Sequence, residues 1–135
     1  MPSNSAVFVD TSAVLALLVS TDSAHPAART AFDTLAREDA RLVTSSYVLL
    51  EIYALVARRL GLPALRRVRE EFAPLLEVVW VDRELHEHGL DLLLGKARRR
   101  LSLVDAVSFG IMHARRIERA FAYDDHFAQH GFVTV

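Results

Sequence analysis

The sequence predicts an α/β domain built on a mainly parallel central sheet of four to five strands. Three observations carry that expectation. Short β-branched and aromatic runs alternate with segments of helical periodicity along the chain, the signature of strand–helix units. The strand candidates read as continuous apolar runs, which suits a sheet covered on both faces. The 135 residues, 52% of them hydrophobic, suffice for one packed core and are too few for two, so a single domain over residues 1–135 is expected.

The first strand is Ala6-Val7-Phe8-Val9, ending at Asp10. Thr11 or Ser12 is placed to cap a helix from Ala13 to about Val19, because a hydroxyl there can accept from orphan backbone N–H groups. A second helix runs from about Pro26 to Glu38, with Ala28, Phe32 and Leu35 on one face. Arg41 to Thr44 reads as a strand. Ser45 or Ser46 then caps a long helix from Tyr47 to Leu60, closed by Gly61. Pro63 suits the first turn of a further helix toward Phe72. Glu77 to Val81 reads as a buried strand. Helices are expected from Arg83 to Ala97 and from Leu103 to Arg115. Ala120 to Tyr123 and Phe132 to Val135 complete the sheet.

Composition removes several classes of function. A net charge of −1 gives no global preference for nucleic acid or membrane. Short basic groups such as Arg58–Arg59 and Arg98–Arg99–Arg100 occur, and they fit genome composition as well as function. Without cysteine there are no disulfides and no thiolate metal sites. Met1 to Ser5 lacks the basic start of a signal peptide, and the apolar run Ala13 to Val19 is far shorter than the roughly 20 residues of a spanning helix. A cytoplasmic location without membrane association is expected. The Gly-Lys-Ser/Thr turn of a P-loop and the glycine spacing of a dinucleotide fold are both absent. An aspartyl-phosphatase pattern would place a second Asp at position 12, which is Ser. His126 and His130 are four apart and could seat a zinc ion on a helix, but no third ligand accompanies them. The histidines are expected to be exposed.

The acids remain. Asp10 and Asp124 follow predicted strands, and in open parallel sheets the active crevice lies at the carboxyl ends of the strands. Asp10 could equally be a turn or cap residue. Glu51 sits on a helix whose stretch from Val48 to Val56 has no other charge. A buried unpaired carboxylate needs a cation, a proton or a distant Arg. Asp105 completes a capping box in Ser102-Leu103-Val104-Asp105, a structural role that competes with a functional one. Asp124 and Asp125 are adjacent, and in an extended backbone their side chains cannot both enter one site.

Taken together, Val7-Phe8-Val9-Asp10-Thr11-Ser12, Ser46-Tyr47-Val48-Leu49-Leu50-Glu51, Leu103-Val104-Asp105-Ala106 and Asp124-Asp125-His126-Phe127 with Gly131-Phe132 resemble the motifs of the PIN domain, and of VapC-type toxins within it. The resemblance covers nearly the whole chain. One departure is Ala122-Tyr123, where the family pattern often has a Thr. The resemblance implies an α/β/α sandwich and a metal-dependent ribonuclease using Mg²⁺ (or Mn²⁺). It implies Asp10, Glu51, Asp105 and Asp124 as both catalytic residues and metal ligands, with Asp124 rather than Asp125 as the fourth acid. It also implies an RNA substrate, a small VapB-like antitoxin and a homodimer. The chemistry agrees. Clustered carboxylates raise one another's pKa values, divalent cations relieve the repulsion, and oxygen donors suit hard ions. Phosphodiester hydrolysis on such a centre needs no Ser, Cys or His nucleophile. The competing expectation is a PIN-like protein that binds RNA or a partner with little catalysis.

Overall fold

A computed structural model describes residues 6–96 and 101–135. The readings of Met1 to Ser5, of the helix end at Ala97 and of the Arg98–Arg100 group lie outside them. The sheet is five-stranded and parallel throughout. Its strands are β1 (Ala6–Val9), β2 (Arg41–Ser45), β3 (Glu77–Val79), β4 (Arg119–Phe121) and β5 (Val133–Thr134), in the spatial order β3-β2-β1-β4-β5. The chain therefore builds outward from β1 on one side, then returns to add β4 and β5 on the other. That reversal puts the topological switch point between β1 and β4, where open parallel sheets form their crevice. Asp10 leaves β1 at this point, and its backbone N–H donates to Phe121 O at 3.0 Å.

Helices fill every crossover. Helix α1 spans Thr11–Leu18 and α2 spans His25–Arg37. Helix α3 covers Ser46–Leu60 and α4 Leu62–Arg67, followed by a π turn at Val68–Phe72 and a 3₁₀ turn at Ala73–Leu75. Helix α5 runs over Arg83–Lys96, α6 over Leu103–Arg115 and the short α7 over His126–Gln129. Helix α1 packs on α2 and α3, and α5 packs on α6. At the α5–α6 crossing a Cβ on Gly89 would lie 2.7 Å from Val107 Cγ2, so the absence of a side chain there is what lets the helices meet. Gly61 adopts φ +92° at the end of α3, a conformation that favours glycine.

The core joins β1 to α6 and the C-terminal turn. Phe8, Phe109 and Phe127 are fully buried, with Phe132 at its edge. Their rings lie 5.1 Å (Phe109–Phe127) and 6.3 Å (Phe8–Phe127) apart at the centroids, within the range for favourable aromatic packing. Thr44 is completely buried yet satisfied, donating to Val9 O at 2.8 Å.

Three expectations need correction. Helix α1 is capped by Asp10 itself, whose side chain accepts from Ser12 N, not by Thr11 or Ser12. The helix expected to reach Phe72 breaks into a π turn from Val68. Finally, β3 is no buried strand. It sits at the sheet edge with Glu77 exposed and Val78 and Val79 half-buried, and Trp80 beyond it is 72% exposed. Glu77 instead pairs with Arg41 of the neighbouring strand at 2.8 Å. An apolar run reports that a strand is present, but its rank in the sheet depends on where the other strands lie.

Candidate metal centre

The acids arrive from four separate elements. Asp10 follows β1, Glu51 lies in the second turn of α3, Asp105 is in the first turn of α6, and Asp124 follows β4. Asp105 and Asp124 come together directly, and His126 joins them: one ligand atom from each lies within 4.8 Å of the others. Asp10 stands beside this trio, close enough that the charges of Asp124 and Asp105 act on it. Glu51 is coupled to Asp10 through the next residue, because the Thr11 hydroxyl donates to Glu51 Oε1 at 2.5 Å. Asp125 is exposed and holds no place in the cluster.

Each carboxylate is fixed through one oxygen. Asp10 Oδ2 accepts from Ser12 Oγ at 2.7 Å and from Ser12 N at 3.2 Å. The same Ser12 Oγ accepts from Tyr123 N at 2.8 Å, tying the end of β1 to the end of β4. Asp105 Oδ2 accepts from Ser102 N at 3.3 Å, and Ser102 Oγ accepts from Asp105 N at 3.1 Å, so the capping box forms in both directions. Asp124 Oδ1 accepts from His126 N at 3.0 Å. Among the described residues, Asp10 Oδ1, Glu51 Oε2, Asp105 Oδ1 and Asp124 Oδ2 have no hydrogen-bond donor. No Arg or Lys pairs with any of the four acids among the described residues. On Asp10 and Asp105, then, one oxygen caps a helix and the other is left without a protein donor.

The electrostatics carry the cost of this arrangement. Asp10 is 3% exposed. Burial pushes its pKa from 3.8 up to about 7, with smaller upward contributions from the charges of Asp124 and Asp105; the hydrogen bonds from Ser12 pull the other way. A carboxylate that is buried, repelled and without a countercharge holds its proton or takes a cation in its place. The donor set fits one, since Asp105 and Asp124 meet at one point with Asp10 beside them, and a hard divalent ion needs only one or two carboxylates, with water filling its other positions.

Of the histidines expected to be exposed, His88 is exposed, whereas His86, His126 and His130 are half-buried. His126 is not exposed: its side chain is 24% accessible, and Nδ1 lies 2.8 Å from Asp105 Oδ2 and 3.8 Å from Asp124 Oδ1. Nor does it pair with His130 as a zinc seat. The His130 ring stacks on Phe109 at 4.3 Å, with its Nδ1 3.1 Å from His126 O. His86 is likewise engaged, its Nδ1 2.6 Å from the Tyr47 hydroxyl. In the sequence His126 was marked only by its place in Asp124-Asp125-His126-Phe127, the stretch that resembles a family motif.

A parallel five-stranded α/β fold with acids gathered at its switch point defines a PIN domain. The PIN domain family model matches residues 7–133, and the chain belongs to that family. Among its relatives is the 23S rRNA-specific endonuclease VapC20 of Mycobacterium tuberculosis, in strains CDC 1551 / Oshkosh and H37Rv. It is 33% identical over 130 residues, which cover 96% of this chain and 97% of the relative. The crystal structure of M. tuberculosis VapC20, described as a Sarcin-Ricin loop cleaving toxin, superposes with a TM-score of 0.83 at 33% identity, covering 96% of this chain and 98% of that one. This chain is thus a VapC-like homologue over its full matched length, as its motifs led one to expect. Among the described residues no helix is long and apolar enough to cross a membrane.

Proposed function

We propose that this chain is a Mg²⁺- or Mn²⁺-dependent endoribonuclease, the toxin half of a toxin–antitoxin pair, that cuts a structured loop of ribosomal RNA. The observation that carries this reading is the meeting of Asp105 and Asp124, with the buried Asp10 beside them and no Arg or Lys among the described residues to neutralise them. Asp10, Asp105 and Asp124 would hold the ion, with Glu51 acting from the adjoining turn of α3. A bound divalent cation supplies charge stabilisation for the phosphodiester in its transition state and a means of activating water. The chain's own residues do the positioning. Ser12 orients Asp10, the capping box orients Asp105, and Thr11 orients Glu51. Ser12 Oγ donates to Asp10 and accepts from Tyr123 N, and Thr11 Oγ1 donates to Glu51, contacts that hold the acids in place. Hydrolysis by activated water, without a covalent enzyme intermediate, is the route this geometry supports. The competing reading, a binder without catalysis, gains nothing from repelling acids that would also repel phosphate.

The ribosomal substrate is carried over from VapC20. A small antitoxin is supported by a groove of about 400 Å³ between α1 and the α3–α4 corner, whose apolar lining of Leu17, Leu18, Leu60, Ala64, Val68 and Phe72 is flanked by Arg67 and Glu71. An amphipathic helix lays its apolar face into such a groove, and a trailing Arg could neutralise the acids. The exposed Leu50 and Leu62 offer further apolar surface for a homodimer. The test is incubation of the pure protein with a sarcin–ricin loop oligonucleotide in Mg²⁺ or Mn²⁺. Cleavage abolished by EDTA and restored by either ion is expected, and cleavage that persists in EDTA would remove the metal from the mechanism. Co-expression with a small open reading frame directly upstream tests the antitoxin: its product should copurify and inhibit, and the absence of such a frame would leave a free-standing nuclease.

A further inference from the structure

We propose that His126 is a direct nitrogen ligand of the divalent cation, which makes the centre a mixed oxygen–nitrogen site with a bias toward Mn²⁺ over Mg²⁺. This rests on the metal-dependent reading above and goes beyond the four acids. Three observations lead to it. His126 Nδ1 is buried and lies 2.8 Å from Asp105 Oδ2, yet it makes no aligned hydrogen bond to that oxygen or to any other acceptor among the described residues. A nitrogen and a carboxylate oxygen 2.8 Å apart can share either a proton or a metal ion, and only the first needs an N–H aligned between them. The spacing is that of neighbouring ligands on one ion, because an octahedral ion with bonds of about 2.1 Å holds adjacent donors about 3 Å apart. Asp124 Oδ1, 3.8 Å from the same nitrogen, completes a set whose ligand atoms lie within 4.8 Å.

The ring is also held in place by the fold. The His126 backbone N–H donates to Asp124 Oδ1, and the next residue, Phe127, is fully buried against Phe8 and Phe109. Peptide and ring together therefore bring Asp124, Asp105 and the imidazole to one point. The acids alone would favour a hard ion. A neutral imidazole donor suits softer transition ions and adds little for Mg²⁺, so its contribution falls on Mn²⁺.

The experiment is pulsed paramagnetic resonance of Mn²⁺ bound to protein carrying ¹⁵N-histidine, with His126→Ala beside it. Direct nitrogen coupling is expected in the unaltered protein and absent in H126A. Titration calorimetry should show Mn²⁺ affinity falling on the order of tenfold or more in H126A, with Mg²⁺ affinity changing several-fold less. The backbone contact to Asp124 survives that substitution, and the wild-type spectrum needs no variant. Bound Mn²⁺ without nitrogen coupling, or equal losses for the two ions, would overturn the assignment and leave His126 a positioning residue while the nuclease reading stands. Failure of Mn²⁺ to bind at all would overturn both.

Discussion

Replacing Asp10 by Asn should remove most of the pH dependence of stability from the metal-free protein. In the folded chain Asp10 ionises near 7, against 3.8 for an unperturbed carboxyl, because it is buried and faces Asp124 and Asp105. The sign follows from linkage. Between those two values the unfolded chain has already lost its proton while the folded chain keeps it. Stability therefore falls as pH rises through this window and levels off above about 7. A shift of about three units is worth on the order of 4 kcal/mol in full, at about 1.4 kcal/mol per unit. From pH 8 down to pH 5 the wild-type protein should gain about 3 kcal/mol from this group. Asn at position 10 can still accept from Ser12 but carries no charge, so D10N should lack this gain and be the more stable of the two at pH 8. The assay is urea unfolding in EDTA at both pH values, then with saturating Mg²⁺ or Mn²⁺. The cation should stabilise wild type at pH 8 and have little effect on D10N. Superimposable pH profiles for the two proteins would refute the argument that burial without a countercharge defines this site.

Four further outcomes follow from named contacts. Asp105→Asn should lower metal-dependent RNA cleavage on the order of a hundredfold or more, while stability falls by no more than about 2 kcal/mol from the weakened cap; cleavage kinetics and urea unfolding check both halves. Ser12→Ala leaves Tyr123 N–H without its acceptor and frees Asp10, so it should cost about 1–3 kcal/mol and lower the affinity for Mn²⁺, as calorimetry would show. Phe127→Ala opens the aromatic core beneath α7 and should destabilise by about 3–5 kcal/mol, measured by thermal unfolding. Gly89→Ala drives a methyl to within 2.7 Å of Val107 Cγ2; it should cost about 1–3 kcal/mol, and Val107→Ala should relieve that cost in a double-mutant cycle.

Local chemistry was enough to settle most of this molecule. Alternating apolar runs and caps located all five strands and the main helices, because strand and helix periodicity is written in neighbouring residues. Ser102 and Asp105 announced their capping box, and Glu51, alone on an apolar stretch, announced an unpaired carboxylate. Even Asp124 could be told from Asp125, though only by likeness to a family motif. What the sequence could not supply was anything that depends on distance across the sheet. The apolar run at Glu77 looked like a buried strand and proved to be an edge, since rank in the sheet is set by the return of the chain to add β4 beside β1. The same return brings Asp124 up to Asp10 and links Ser12 to Tyr123 across 111 positions of sequence. His126 looked like one of several surface histidines. Its meeting with Asp105 exists only because a buried Phe127 pins α7 against α6, and no local pattern encodes the direction of a ring set by packing on a distant helix.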